Sequence, residues 1–150
     1  MVKKVLVSAC LLGECCRYDG KGSVSEEVEH FLVGKEAIPI CPEVMGGLST
    51  PRTPCEIIKN RVMDKNGEDK SEAYQKGAQC VLALAKENQC KLAILKSRSP
   101  SCGSNQIYDG TFSGKLILGD GICAQLLKAN QIVVLSEEEL KNFDFNSIDE

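Results

Sequence analysis

Four short apolar runs recur along the chain, and the segments between them constrain the fold more than any other feature. "KKVLVSA" (3–9), "AIPIC" (37–41), "KLAILK" (91–96) and "QIVVL" (131–135) each have the length of a buried strand and favour branched side chains. The intervening segments keep helical spacing. Ser23 and Glu26 offer a capping box for a helix with Val24, Val28, Phe31 and Leu32 on its apolar face, and Gly34 supplies a stop. Asp69 and Glu72 open a longer helix whose Tyr74, Gly77, Ala78, Val81, Leu82 and Ala85 fall on one stripe. A third helix is expected over 121–129, ended by Asn130, and "SEEEL" (136–140) reads as a short helix after the last strand. Strands alternating with helices predict an α/β fold: three layers, Rossmann-like, around a mostly parallel sheet of four or five strands.

Smaller signals refine this plan. Pro39 cannot donate to a ladder, which puts the second strand at an edge and the first beside the third. Residues 42–54 are rich in Gly and Pro and read as a loop. Residues 55–68 read as a small hairpin or extended arm with Asn66-Gly67 as its turn, and 97–114 as a long loop. A length of 150 residues suits one domain, with an acidic tail after about residue 141 expected to fray.

Net charge is −3 and aromatic residues are 5% with no tryptophan, which disfavours binding to long nucleic acids. "DGKGS" and "FSGKL" lack the spacing of a phosphate loop. The apolar run before "VSAC" is only Val5-Leu6-Val7, too short for a secretory core, and no segment is long enough for a membrane span. A cytoplasmic protein acting on a small molecule is the expectation.

The nine cysteines are out of proportion for such a chain, and histidine occurs once, at His30, on a helix where burial or exposure is the ordinary reading. An odd count with irregular spacing is not a secreted disulfide framework, so any metal site here is rich in thiolate. Parallel sheets bind ligands beyond the carboxyl ends of their strands. Cys10 closes the first strand, Cys41 closes the second, and Cys102 lies just past the third, so three cysteines far apart in sequence reach one edge. Gly13, Gly46-Gly47 and Gly103 leave room beside them. Cys55, Cys80, Cys90 and Cys123 lack this placement and read as packing or surface residues, while Cys15 and Cys16 sit on the loop over the site. Three thiolates rather than four leave one position open, as catalytic centres do. Spacing alone favours a shared metal or cluster site and leaves the metal open.

"SACLLGECCRYDG", "CPEVMGGLSTPRTPCE" and "LKSRSPSCG" resemble the signature blocks of a bacterial family first catalogued as a domain of unknown function and associated with thiouracil desulfurase activity. The resemblance implies a [4Fe–4S] cluster on Cys10, Cys41 and Cys102 whose fourth iron takes sulfur from a small thiolated base or nucleoside. It further implies Glu43 as the acid/base residue and Ser101 as the assisting hydroxyl.

Rival readings of these residues remain open at this level. Glu43 could cap a turn, and Ser99 rivals Ser101. Arg17, Tyr18 and Asp19 line the pocket or brace the loop, and Arg52 and Arg98 hold an anionic group of a substrate or lie at the surface. A non-enzymatic metal or iron–sulfur binding module would use the same three cysteines. A thiol redox protein built on Cys15-Cys16 would lack the usual Cys-x-x-Cys spacing.

Overall fold

The computed structural model describes residues 3–140. Four strands, β1 (Lys4–Ser8), β2 (Glu36–Ile40), β5 (Leu92–Leu95) and β8 (Val133–Ser136), form one parallel sheet in the order β2-β1-β5-β8. Pro39 lies opposite Val7 on the edge strand β2, where its missing N–H costs no ladder bond. The first of these strands lies beside the third in sequence, β5, as the edge placement of Pro39 predicts.

Each strand's period-two alternation feeds two cores. Leu6, Ala93, Leu95 and Val134 point to one face and pack under α3 (Ser71–Glu87) and α4 (Ile122–Ala129). Val5, Val7, Leu92, Ile94 and Leu135 point to the other, where Val28 of α1 (Glu26–Phe31) covers them. The predicted stripe on α3 is buried in full.

Several expectations shift. The first helix is capped by Ser25, whose hydroxyl accepts from the Val28 amide at 3.3 Å, rather than by Ser23. Val24 therefore precedes the helix and is exposed. The stretch taken for a loop contains a short helix, α2 (Pro42–Met45), started by Pro42. The arm is a hairpin of β3 (Cys55–Ile58) and β4 (Arg61–Asp64) that turns at Lys59-Asn60, both in the left-handed region, while the expected Asn66-Gly67 turn forms just after β4 and brings Asp69 back against Met63. A second hairpin pairs β6 (Gln106–Tyr108), which lies inside the expected loop 97–114, with β7 (Leu116–Leu118), which lies just beyond it. Within "SEEEL", Ser136 ends β8, residues 137–139 form a turn, and Leu140, the last described residue, is in a 3-10 helix. The tail after residue 141, expected to fray, lies outside the described residues.

Helix α2 meets α3 backbone to backbone. A Cβ on Gly77 would collide with the Pro42 carbonyl, and one on Gly46 with the Ala73 carbonyl. These two glycines let the segment carrying Cys41 and Glu43 lie directly on the longest helix.

Candidate active site

The three cysteines that the strand order brings together do meet. Cys10 sits in a 3-10 turn, Ala9–Leu12, directly after β1. Cys41 is the residue before α2, and Cys102 lies in the loop after β5. All three line one cavity of about 460 Å³ beyond the carboxyl ends of the strands. Cys10 and Cys102 are buried and Cys41 is half-buried, and all nine cysteines are free thiols.

Burial pushes the Cys10 thiol up to about 11, partly offset by nearby Lys96, and drives that of Cys102 well above the ordinary value. Cys16, on the same cavity wall, is pushed up to about 12 by burial and by the neighbouring Cys41 and Cys10 thiols. Loading metal into such a site must therefore release protons. The Ser8 hydroxyl donates to Cys102 Sγ at 3.5 Å and is itself fixed by the Lys96 amide at 2.9 Å. Ser8 was missed in the sequence, although its place at the end of a buried strand next to "AC" is the signal that points to it.

Among the described residues, no group of three or more His, Cys, Asp or Glu side chains converges as it would around a single metal ion. The arrangement fits a cluster better. A cluster spreads its thiolates over different irons and needs room between them, which the cavity provides. The three chosen cysteines are soft donors, with no histidine on the cavity wall.

Glu43 lies on the cavity wall in the first turn of α2. Its Oε2 accepts from Arg52 Nε at 3.1 Å, Arg52 Nη2 at 2.9 Å and the Tyr74 hydroxyl at 3.0 Å. Among the described residues no hydrogen bond reaches Oε1. One oxygen is held by three donors and the other is left to the cavity. Both members of the Glu43–Arg52 pair are largely shielded from solvent, at 14% and 8% side-chain exposure, so this contact is stronger than an ordinary surface ion pair. Neither reading of Arg52, anion holder or surface residue, holds. Its remaining N–H groups go to the Ser49 and Cys16 carbonyls and the Thr50 hydroxyl, which commits it to positioning Glu43.

Tyr74 is buried under this pair, and burial with the Glu43 charge drives its phenol far above the ordinary value, so it acts only as a donor. Cys55 meets the Tyr74 hydroxyl and lines the cavity, not the surface. Arg98 pairs with Glu138 at 2.7 Å at the cavity mouth. Arg17 and Tyr18 line the cavity as well, with Arg17 weakly paired to Asp19 at 3.9 Å. His30 is exposed, and Cys15 is exposed beside the loop.

Ser101 is fully buried and is not part of the cavity wall. Its Oγ is the one buried side-chain oxygen or nitrogen among the described residues that has no hydrogen-bond partner. Ser99 does line the cavity, but its hydroxyl accepts the Ser101 and Cys102 amides at 3.0 Å each and shapes the turn that presents Cys102.

Comparison with known proteins places this geometry. The family model for 2-thiouracil desulfurase matches residues 5–139. The chain is similar to the uncharacterized protein YbbK of Bacillus subtilis strain 168, with 46% identity over 148 residues, covering 92% of this chain and 98% of that protein. A solved structure of the [4Fe–4S]-dependent thiouracil desulfidase TudS superposes with a TM-score of 0.87 at 40% identity, covering 93% of each chain. No helix among the described residues is long and apolar enough to cross a membrane.

Proposed function

The chain belongs to the 2-thiouracil desulfurase family, and from that premise we propose that it hydrolyses the C–S bond of a 2-thiouracil-like pyrimidine with a [4Fe–4S] cluster held by Cys10, Cys41 and Cys102. The observation that carries this reading is the cavity itself. Three thiols delivered by three separate strand ends share it with Glu43, whose Oε2 is clamped by Arg52 and Tyr74 while Oε1 is left unclaimed.

The reaction exchanges a thiocarbonyl for a carbonyl: water supplies the oxygen, and the sulfur leaves as sulfide. When bound, the cluster supplies a soft Lewis acid for the thiocarbonyl sulfur. The chain's own residues do the rest. Glu43 Oε1 takes a proton from the water that attacks the ring carbon and returns it to a leaving or ring atom. Arg52 and Tyr74 hold Oε2 so that the carboxylate cannot rotate away. The Ser8 hydroxyl steadies Cys102. Ser101, proposed as the assisting hydroxyl, sits behind the cavity wall one residue from Cys102 with its Oγ unpartnered among the described residues, so its assistance runs through Cys102 and not through contact with the substrate.

A non-enzymatic binding module is not favoured, because storage has no use for a carboxylate clamped at one oxygen and open at the other. A reducing cytoplasmic setting suits nine free thiols. Anaerobic reconstitution followed by iron and sulfide quantitation, and then sulfide release from 2-thiouracil, tests the proposal. Four irons per chain with uracil and sulfide as products support it. Loaded cluster with no sulfide release rejects the enzyme, and failure of Cys10→Ala, Cys41→Ala and Cys102→Ala to lower iron content rejects the ligand set.

A further inference from the structure

Aromatic side chains are scarce in this chain, yet four of the five among the described residues line the cavity: Tyr18, Tyr74, Tyr108 and Phe112, with Phe31 packed elsewhere. Tyr74 is spent on Glu43. Phe112 has no polar atom on its side chain, and its backbone stands in the left-handed region at φ 56°, which is costly for a bulky residue. Something must hold it there.

The holder is Glu56, a buried carboxylate in β3 that forms no ion pair among the described residues. Its Oε1 accepts the Gly110 amide at 3.0 Å and the Phe112 amide at 3.1 Å, more than fifty residues away in sequence. Gly110 makes the docking close: a Cβ there would collide with Ile58 Cγ1, and its φ of 94° suits glycine. Thr111 and Asp109 brace the same loop through bonds of 2.6 Å and 2.9 Å. One carboxylate thus joins the β3–β4 hairpin to the tip of the β6–β7 hairpin and, through the Phe112 amide, fixes Phe112 against the cavity.

We propose that Phe112 is the stacking wall for the pyrimidine ring and that Glu56 is the positioning residue that sets it. The proposal rests on the desulfurase reading and adds to it how a planar heterocycle is selected. A flat ring gains from an aromatic face regardless of its substituents. The sulfur end is then left to the three-cysteine side and the water to Glu43.

The test compares Phe112→Ala, Phe112→Tyr, Glu56→Ala, Glu56→Gln and the double variant Glu56→Ala/Phe112→Ala as anaerobically reconstituted holoenzymes. Cluster absorbance serves as a loading control. Readouts are the Kd of 2-thiouracil by equilibrium dialysis and the KM and kcat for sulfide release. Phe112→Ala should raise Kd and KM about tenfold, with kcat changed far less, and Phe112→Tyr should stay within about twofold of wild type. Glu56→Ala should match Phe112→Ala, and Glu56→Gln should recover most of the loss because its amide oxygen still accepts both N–H groups. The double variant should be no worse than Phe112→Ala alone. Kd and KM unchanged in Phe112→Ala overturn the stacking wall. Losses in the double variant that multiply overturn the route through Phe112. A wild-type holoenzyme that binds 2-thiouracil but releases no sulfide sinks the desulfurase reading and leaves the Kd comparison to decide the wall.

Discussion

The cavity has a floor and a wall of different construction. The floor, carrying Cys10, Cys41, Glu43 and Cys102, grows from the ends of parallel strands packed on both faces, and α2 is pressed backbone to backbone onto α3. The wall, carrying Tyr108 and Phe112, is made of two small hairpins outside the main sheet and stapled by Glu56. Their carboxylates differ in the same way. Glu43 is held by a guanidinium and a phenol, whereas Glu56 is held by backbone amides alone. The proposed chemistry, which requires fixed atoms, thus falls on the rigid part, and the proposed recognition of ring shape falls on the part that can be rebuilt by changing a loop.

The largest effect separating the two should come from Glu43→Gln. It should lower kcat by about 10²–10⁴-fold while cluster absorbance and substrate Kd stay near wild type, since the amide keeps the shape and loses the base. A large rise in Kd would mean that the floor also recognises the ring, and the contrast would fail.

Gly77→Ala attacks the floor through its backbone. Forcing the Pro42 carbonyl, and α2 with it, off α3 should cost about 1–3 kcal/mol in chemical denaturation, and iron retention should drop with it. Stability unchanged by this substitution would show that α2 is free to move.

Ser101→Ala should dissociate function from folding. Removing a hydroxyl that has no partner leaves no orphaned group behind, so the melting temperature should hold or rise slightly while kcat falls. A lower melting temperature with kcat intact would make Ser101 a packing residue.

The smallest effect belongs behind the wall, where Asp69 joins β4 to α3. Hydrogen bonds from Ser71, with the Arg61 guanidinium adding to them, hold its carboxyl down to about 2, below the ordinary 3.8. The stabilisation is complete above the unfolded value and is lost as pH falls toward 2. Stability curves should show Asp69→Asn costing most at neutral pH and converging on wild type near pH 2. Parallel curves would remove Asp69 as the source.

Legibility in the sequence followed the same divide. The floor was readable because burial imposes pattern: branched runs marked the strands, and strand order then carried three cysteines to one edge. The stripe on α3 was readable for the same reason. The wall was not. "QIY" and "LIL" are three residues each, too short for alternation to register, and the intervening turn owes its shape to a carboxylate from another hairpin. Helix α2 was hidden because glycines and prolines read as loop, when here they permit close packing and start a helix. The cluster proposed for those three cysteines and the acid/base role proposed for Glu43 came from family resemblance, but the role of Arg52 was out of reach, because a lone arginine in a proline-rich loop does not reveal which oxygens it will meet.

Arg52 links two loops in a way that bears on how such chains diverge. One guanidinium touches the carboxylate of α2, the carbonyl of Ser49 in its own segment, and the carbonyl of Cys16 on the loop after the first strand. An insertion in either loop would pull it from one partner or another. Relatives that lengthen residues 13–22 are therefore expected to adjust 46–54 in step, so that loop length, rather than residue identity alone, becomes a heritable trait of the site.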